Sequence, residues 1–294
     1  MRIVLALWVA ASVCAQEPEA DPLVRVAHEA EVFAQRIPSA VSQEKLEQRT
    51  LKVFARPGVG SDKPSPDLHL SRTVVSEYTV APLKDSPEKQ LVEFRQVVSV
   101  DGHPVRSEES ARHALSLGVL AAGDSARKRM LEDFAKHGLV DVATDYALAL
   151  LAFTSTGQQS LKILPSGEDR VGADDALVFA WVQATPGGGE LSFHGNQSSR
   201  EPLTGKLWVR KSDGLPLRIS LWAVRNSDKH SVRDEATVDY VMCAQGFLTP
   251  VSVLHQHVVD GQLKTENLYH YEPFKLFGAD TDIKYAKPGA SDPK

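Results

Sequence analysis

The sequence has too few cysteines to be held together by disulfide bonds. It contains two, Cys14 and Cys243, and Cys14 lies in an N-terminal segment that we expect to be removed. One remaining thiol cannot form an intramolecular disulfide, so the fold has to be stabilised by its core alone. Because Cys243 ends an apolar stretch and has no cation next to it in the sequence, we expect it to be buried and structural rather than reactive.

The sequence also lacks the patterns that mark common enzymes and nucleic-acid-binding proteins. It contains no GxSxG, HExxH, P-loop or dinucleotide-binding fingerprint. A formal net charge of −5 provides no basic excess for nucleic acid or anionic lipid head groups. We therefore predict no catalytic residues, no cofactor and no nucleic-acid partner. An uncharacterised hydrolase or metal enzyme stays open as a third alternative.

The N-terminal segment has the pattern of a secretory signal peptide. Arg2 precedes an apolar run over residues 3–13, and small residues stand before the expected cleavage site after Ala15. The run is well short of the roughly 20 apolar residues that span a bilayer, so we predict no transmembrane span. The expected location is periplasmic or secreted. The alternative is a lipoprotein anchored at Cys14, which Val13 disfavours because lipidation normally needs a small residue before the cysteine.

The last third of the chain, Leu203 to Tyr285, reads as antiparallel strands joined by short turns. Apolar and polar residues alternate there, as in strands with one buried face. Asp-Gly pairs at 213–214 and 260–261 stand between apolar stretches, which is a strong hairpin signal. The sequence therefore predicts a meander of long strands in this region.

The first Asp-Gly hairpin predicts one apolar and one mixed face. Counting alternate residues from the turn pairs Trp208 with Ile219 and puts Leu217 and Leu221 on the same apolar side. Val209 is assigned to the opposite, mixed face.

Upstream of the meander, the pattern predicts further strands and helices that cover the sheet. Asp21-Pro22 begins a helix with one apolar stripe, which Pro38 stops. Between about residues 108 and 154 the spacing of apolar residues changes from a period of two to about 3.6 residues, which indicates a helical insertion. The insertion ends in a strongly apolar segment at 141–153, which we expect to be buried. Strands are expected at Ser42–Ala55, Leu68–Val80, Gln90–Val100, Gln158–Leu164, Arg170–Ala184 and Glu190–His194, and an exposed loop at Arg56–Pro66.

These elements predict an α+β fold in one domain over residues 16–294. The expected architecture is a curved antiparallel β-sheet, a half-barrel-like meander, covered by the N-terminal helix and the helical insertion. Domains rich in β-strands routinely reach about 200 to 250 residues as one unit.

Several local patterns resemble a family of secreted acidobacterial proteins whose function is uncharacterised. They include VSQEKLEQRT at 41–50, VEFRQVVSVDGHPVR at 92–106, GKLWVRKSDGLPLR at 205–218 and TENLYHYEPFKLF at 265–277. More remotely, the ribbon at 205–218 looks like the lipoprotein-carrier (LolA/LolB-like) half-barrel fold of periplasmic lipoprotein-sorting factors. That resemblance implies an incomplete β-barrel whose hollow face is lidded by helices and holds acyl chains.

Large side chains on the predicted strands are candidates to line such a hollow. Strand aromatics also commonly form core, so the packing of the helices decides between the two roles. The candidate cavity residues are Phe94, Trp181, Trp208, Ile219, Leu221, Val238 and Tyr240.

Three histidines form the best candidate for a metal site, and their register argues against one. With a turn at 260–261, His255 lies opposite Glu266 and His257 opposite Lys264, and a lysine beside a cation is unfavourable. His270 lies further along its strand. We therefore predict a solvated polar patch and no metal site.

The sequence thus favours a non-catalytic periplasmic binding protein for an apolar ligand, either a lipid or an acylated protein, with a role in envelope lipid or lipoprotein handling. The alternative is a structural or accessory protein of envelope assemblies, whose partner would be another envelope protein.

Overall fold

A computed structural model describes residues 21–52, 67–83, 90–120, 124–142, 144–184, 190–194, 197–226 and 230–277. Within these ranges the chain forms one open antiparallel sheet of 12 strands, with helices packed on it. This confirms the predicted α+β class with a curved, half-barrel-like sheet. The predicted signal peptide, the predicted loop at 56–66 and the strand pattern beyond Phe277 lie outside the described residues.

The strands follow the predicted meander for most of the sheet, and at two places along its order the neighbouring strands are not consecutive in the chain. From one edge to the other the order in the large sheet is β4-β3-β2-β1-β13-β12-β11-β10-β9-β6-β5, with β14 also paired to β1 and a separate hairpin of β7 and β8. The strands are β1 (Ala40–Lys52), β2 (Asp67–Pro82), β3 (Leu91–Val100), β4 (His103–Pro104), β5 (Leu161–Val171), β6 (Asp174–Gln183), β7 (Glu190–His194), β8 (Gln197–Glu201), β9 (Thr204–Arg210), β10 (Pro216–Asn226), β11 (Ser231–Met242), β12 (Leu248–Val259), β13 (Gln262–Tyr271) and β14 (Lys275–Leu276).

The helices lie where Asp21-Pro22 predicts the N-terminal helix, and within or directly after the helical insertion predicted at about 108–154. They are α1 (Pro22–Arg36), α2 (Glu108–Leu120), α3 (Asp124–Lys136) and α4 (Ser155–Gln158), with 3₁₀ turns at Ile37–Ser39 and Tyr146–Phe153. The carboxylate of Asp21 caps α1 by accepting a hydrogen bond from the backbone N–H of Leu23 at 2.9 Å. We call Tyr146–Phe153 the cover segment.

The two faces of the sheet are covered by different helices. The inner face packs against α1, α3 and the cover segment in one large core that includes Tyr78, Phe134 and Ile219. The outer face is covered by α2 at the β1–β3 end, where Phe94 packs with Leu115 in a separate small cluster. Strands β1 to β3 are therefore sandwiched between helices.

Trp208 lies on the outer face, which corrects the predicted hairpin. Five residues, 211–215, connect β9 to β10, and the register shifts between Pro216 and Arg218, so that Trp208 lies opposite Arg218 rather than Ile219. Val209 is buried on the inner face instead. The turn is longer than the two-residue loop that Asp-Gly suggests, and a shift of one residue moves a side chain to the other face.

A glycine allows close packing beside Trp181. A Cβ at Gly205 would lie 2.0 Å from the carbonyl oxygen of Ser220 and 2.6 Å from the indole ring of Trp181. The absence of a side chain therefore lets the indole lie directly over β9.

Both edges of the open sheet are irregular. At one edge, β4 has only two residues, the second of which is Pro104. At the other, β5 contains Pro165 and Gly167, and its register shifts between Pro165 and Glu168. At the first edge β4 covers only Ser99 and Val100 of β3, whereas at the second the row of backbone groups is interrupted within β5.

Candidate functional site

The inner face, where the sequence places a ligand cavity, is filled by its helical cover. The rings of Phe33 in α1 and Tyr240 meet edge to face with centroids 6.3 Å apart, and those of Phe153 and Trp181 do so at 5.6 Å. Five of the candidate cavity residues are buried here, namely Trp181, Ile219, Leu221, Val238 and Tyr240.

The other two candidates lie on the outer face. Phe94 packs under α2 against Leu115, because β3 is buried on both faces and alternation cannot tell which face is the inner one. Trp208 is half-buried, and its indole N–H donates to the Oδ2 atom of Asp169 at 3.0 Å. The seven predicted residues therefore do not share one surface.

The cover segment is attached to the sheet by a few specific hydrogen bonds. The carboxylate of Glu93 accepts from the backbone N–H groups of Asp145 at 2.8 Å and Ala147 at 3.1 Å. The hydroxyl of Tyr240 donates to the carbonyl of Ala147 and accepts from the N–H of Leu150, both at 3.1 Å. These bonds fix backbone groups that an apolar segment cannot satisfy with its own side chains.

A buried ion cluster lies beneath this attachment. Arg95 has its side chain 2% exposed and lies 2.8 Å from Glu44 and 2.7 Å from Glu93. Burial opposes the charge of Arg95, but the two carboxylates outweigh it and raise the pKa of Arg95. Burial raises the pKa of Glu44, with Arg95 acting against it. Sequence reasoning missed this cluster, although charged residues at inward positions of apolar strands are its signal.

The histidines do not form the solvated patch that the sequence predicts. A bulge between His257 and Val258 shifts the register, so that His255 lies opposite Asn267 and is buried. His257 Nδ1 lies 2.6 Å from Asp234 Oδ1, while His255 Nε2 is 3.5 Å from it.

His257 and Asp234 form a hydrogen-bonded pair of an imidazole and a carboxylate. The hydrogen bond with Asp234 raises the pKa of His257, and burial opposes it. His270 is exposed and does not join the pair. Among the described residues, no group of three or more His, Cys, Asp or Glu side chains could hold a metal ion.

An open groove of about 630 Å³ lies on the outer face, between α2 and the C-terminal segment 272–277. Its apolar wall is made by Val41, Leu115, Pro273, Leu276 and Phe277. Leu115 is fully buried, whereas Phe277 is 45% exposed. We call this recess the α2 groove. It joins residues from β1, α2 and β14, which are far apart in the sequence.

The polar wall of the α2 groove contains a buried carboxylate. Glu77 is 2% exposed, and its Oε2 atom accepts from Arg112 Nε at 3.2 Å. Arg112 also lies 3.0 Å from Glu108. Among the described residues, the Oε1 atom of Glu77 has no hydrogen-bond partner. Neither the groove nor Glu77 was identified as a site from the sequence, where the only signal was an acidic residue in an apolar strand.

The comparisons with known proteins are distant. No family model matches the sequence, and no curated protein matches it significantly. Similar solved structures include a LolA superfamily protein from Nitrosomonas europaea (12% identity, 87% of this chain and 94% of that chain, TM-score 0.33). A second is an outer membrane lipoprotein-sorting protein domain from Vibrio parahaemolyticus (7%, 87% and 92%, TM-score 0.36). A third is a DUF1329 family protein from Desulfovibrio piger (11%, 90% and 96%, TM-score 0.36).

The names of the first two neighbours match the lipoprotein-carrier fold that the ribbon at 205–218 resembles. The resemblance to secreted acidobacterial proteins stays a prediction. Because all three TM-scores are below 0.4, the function has to be argued from the residues of this chain. Among the described residues, no helix combines the length and apolarity needed to cross a membrane.

Proposed function

We propose that this protein is a non-catalytic envelope protein that binds an apolar ligand, a lipid or the acyl chain of an acylated protein, in the α2 groove. The observation that carries the proposal is the open groove of about 630 Å³ with an apolar wall. Small-molecule sites typically have volumes of about 300 to 1,000 Å³ and mostly apolar walls with a few polar groups.

The position of Phe277 supports this ligand class. Its side chain remains 45% exposed beside Leu276 and Leu115. Covering an exposed apolar side chain in the lining of a groove stabilises the complex by about 25 cal/mol for each Å² removed from water. The predicted site on the inner face is occupied by α1 and the cover segment, so the proposal places the ligand on the other side of the sheet.

The setting that we propose is the periplasm, in lipid or lipoprotein handling. The signal peptide with cleavage after Ala15, and the alternative anchor at Cys14, lie outside the described residues and stay predictions.

Two tryptophan substitutions on α2 test the proposal. Ser116 lines the groove, and its neighbour Leu117 is exposed and does not line it. Ser116→Trp should fill the groove, whereas Leu117→Trp adds the same side chain outside it. We expect the first variant to bind a fluorescent dodecanoyl probe at least about ten-fold more weakly than the wild type, and the second to bind it unchanged.

Equal binding by the two variants, or no binding by the wild type, would remove the groove as the site. Native mass spectrometry of protein purified from its own envelope provides a second readout. A protein partner of fixed stoichiometry without any co-purifying lipid would favour an accessory role in an envelope assembly and overturn the proposal.

A further inference from the structure

We infer that the α2 groove selects amphiphiles whose polar end is a primary ammonium group. This inference rests on the proposed function and adds the chemistry of the ligand's head group. It starts from the Oε1 atom of Glu77, which is buried and has no hydrogen-bond partner among the described residues.

Glu77 lines the α2 groove, and one of its two carboxylate oxygens has no hydrogen-bond partner among the described residues. The residue lies in the middle of β2, opposite Gln43 of β1 and Gln96 of β3, which fixes its backbone. Arg112 Nε approaches the Oε2 atom at 3.2 Å, and Arg112 Nη2 turns to Glu108 at 3.0 Å. A buried carboxylate oxygen without a donor is unfavourable, and a donor that enters the groove relieves this.

The charges around the groove favour a cation over an anion. Its lining contains three carboxylates, Glu77, Glu108 and Glu272, against two cations, Arg112 and Lys275. An anionic head group would face the surplus negative charge, whereas an ammonium group would balance it. Hydrogen bonds between charged groups are also stronger and shorter than those between neutral groups.

The Oε1 atom of Glu77 lacks a hydrogen-bond donor among the described residues, so a ligand that satisfies it needs an N–H group as well as a positive charge. A primary ammonium offers three N–H donors, whereas a trimethylammonium group carries the same charge and offers none. A comparison of the affinities for these two head groups therefore separates the contribution of hydrogen bonding from that of charge. The apolar wall made by Val41, Leu115, Leu276 and Phe277 would contact the alkyl chain in either case.

The test compares three probes with the same twelve-carbon chain: dodecylamine, dodecyltrimethylammonium and laurate. Each is titrated calorimetrically into the whole secreted protein at neutral pH, below the concentration at which it forms micelles. We expect dodecylamine to bind about ten-fold more tightly than either of the others. This ranking is measured on the wild-type protein, so it does not depend on the folding of any variant.

A pair of isosteric substitutions links the preference to Glu77. Glu77→Gln keeps the size of the side chain but removes its charge and replaces one of the two acceptor oxygens by an NH₂ donor. It should reduce the preference for dodecylamine to about three-fold or less. Glu109→Gln makes the same change of charge at an exposed position of α2 that does not line the groove. It should leave the preference unchanged.

The source of the ammonium group is resolved by two further probes. A short-chain phosphatidylethanolamine presents it on a lipid head group, and a peptide with a dodecanoylated N-terminus and a free lysine presents it on an acylated protein. Binding of either one that weakens in Glu77→Gln supports the inference and identifies the source. Failure of both to bind overturns it.

The outcomes separate the inference from the proposed function. Equal affinity for the three twelve-carbon probes, all weakened by Ser116→Trp, would overturn the ammonium preference and leave the apolar groove in place. Tightest binding of laurate would also overturn it. No binding of any probe would overturn the proposed function itself.

Discussion

At the scale of single residues, two tryptophans on neighbouring strands contribute differently to stability. Trp181 is 3% exposed and packs against Phe153 and Gly205 in the core. Trp208 lies half-buried on the outer face, where it meets Asp169. The face of the sheet on which each indole lies therefore decides how much stability is lost when the indole is removed.

Trp181→Ala should lower the free energy of unfolding by about 3 to 5 kcal/mol, since it empties a large volume in the core. Trp208→Ala should lower it by less than about 1.5 kcal/mol, because the indole is partly exposed on the outer face and leaves no enclosed cavity. Urea denaturation of the two variants measures both values. Similar losses in the two variants would contradict the assignment of their faces.

The pair of His257 and Asp234 makes stability depend on pH. The hydrogen bond with Asp234 raises the pKa of His257 above its ordinary value of 6.5, and Asp141 adds to this while burial and Arg225 oppose it. In the unfolded chain the imidazole has its ordinary pKa. The charged form therefore stabilises the fold fully below about pH 6.5, and this contribution is lost as the pH rises through the elevated pKa.

We expect the unfolding midpoint in urea to fall between about pH 6.5 and pH 8.5 in the wild type. His257→Gln should flatten this part of the profile, because no proton is then released on unfolding at that site. His270→Gln is the control, since His270 is exposed. A slope that survives in His257→Gln would assign the effect to another group.

At the scale of elements, the cover segment depends on one phenol for two of its backbone hydrogen bonds. Tyr240→Phe removes the bonds to Ala147 and Leu150 and should cost about 1 to 2 kcal/mol. It should also speed hydrogen exchange in the cover segment, because the opening of that segment becomes easier. Hydrogen exchange followed by mass spectrometry measures this change.

Tyr78→Phe is the matched control in the same core. The hydroxyl of Tyr78 is buried and has no hydrogen-bond partner among the described residues, so its removal should be neutral or stabilising. If both variants exchange at the wild-type rate, the hydroxyl of Tyr240 does not hold the cover segment in place.

The elements themselves could be predicted from the sequence because local signals specify them. Asp21-Pro22 begins α1, and the Asp-Gly pair at 260–261 joins β12 to β13, as predicted. Bulges carry no such signal, since one extra residue leaves the local alternation of apolar and polar residues almost unchanged. The bulges at Pro216 and His257 are the reason that the partners of Trp208 and His255 were predicted wrongly.

The candidate site could not be predicted because it is formed by tertiary contacts. The groove needs α2 beside β14, and no pattern in either segment indicates that they meet. The face of Phe94 was ambiguous for a related reason, since β3 is buried on both sides and reads as a nearly continuous apolar run.

At the scale of the whole molecule, we predict a secreted chain that begins at Gln16 and carries one thiol. Intact mass measurement should give the mass of residues 16–294, and thiol titration should find Cys243 alone. Cys243 is partly buried against the core, so it should react more slowly in the folded protein than in denaturant. An N-terminal diacylglyceryl group on Cys14 would show up as added mass and would mean a tethered protein.

The irregular edges of the sheet affect whether strands of different molecules can pair with each other. An open sheet of 12 strands has two free ends at which a strand of another molecule could add, and such addition leads to fibres. Among the described residues, one end is a strand of two residues that covers only Ser99 and Val100 of β3, and the other end is interrupted by Pro165 and Gly167. Within the described ranges, a strand added beside β5 would therefore meet an interrupted row of backbone groups, which disfavours extension of the sheet at that end.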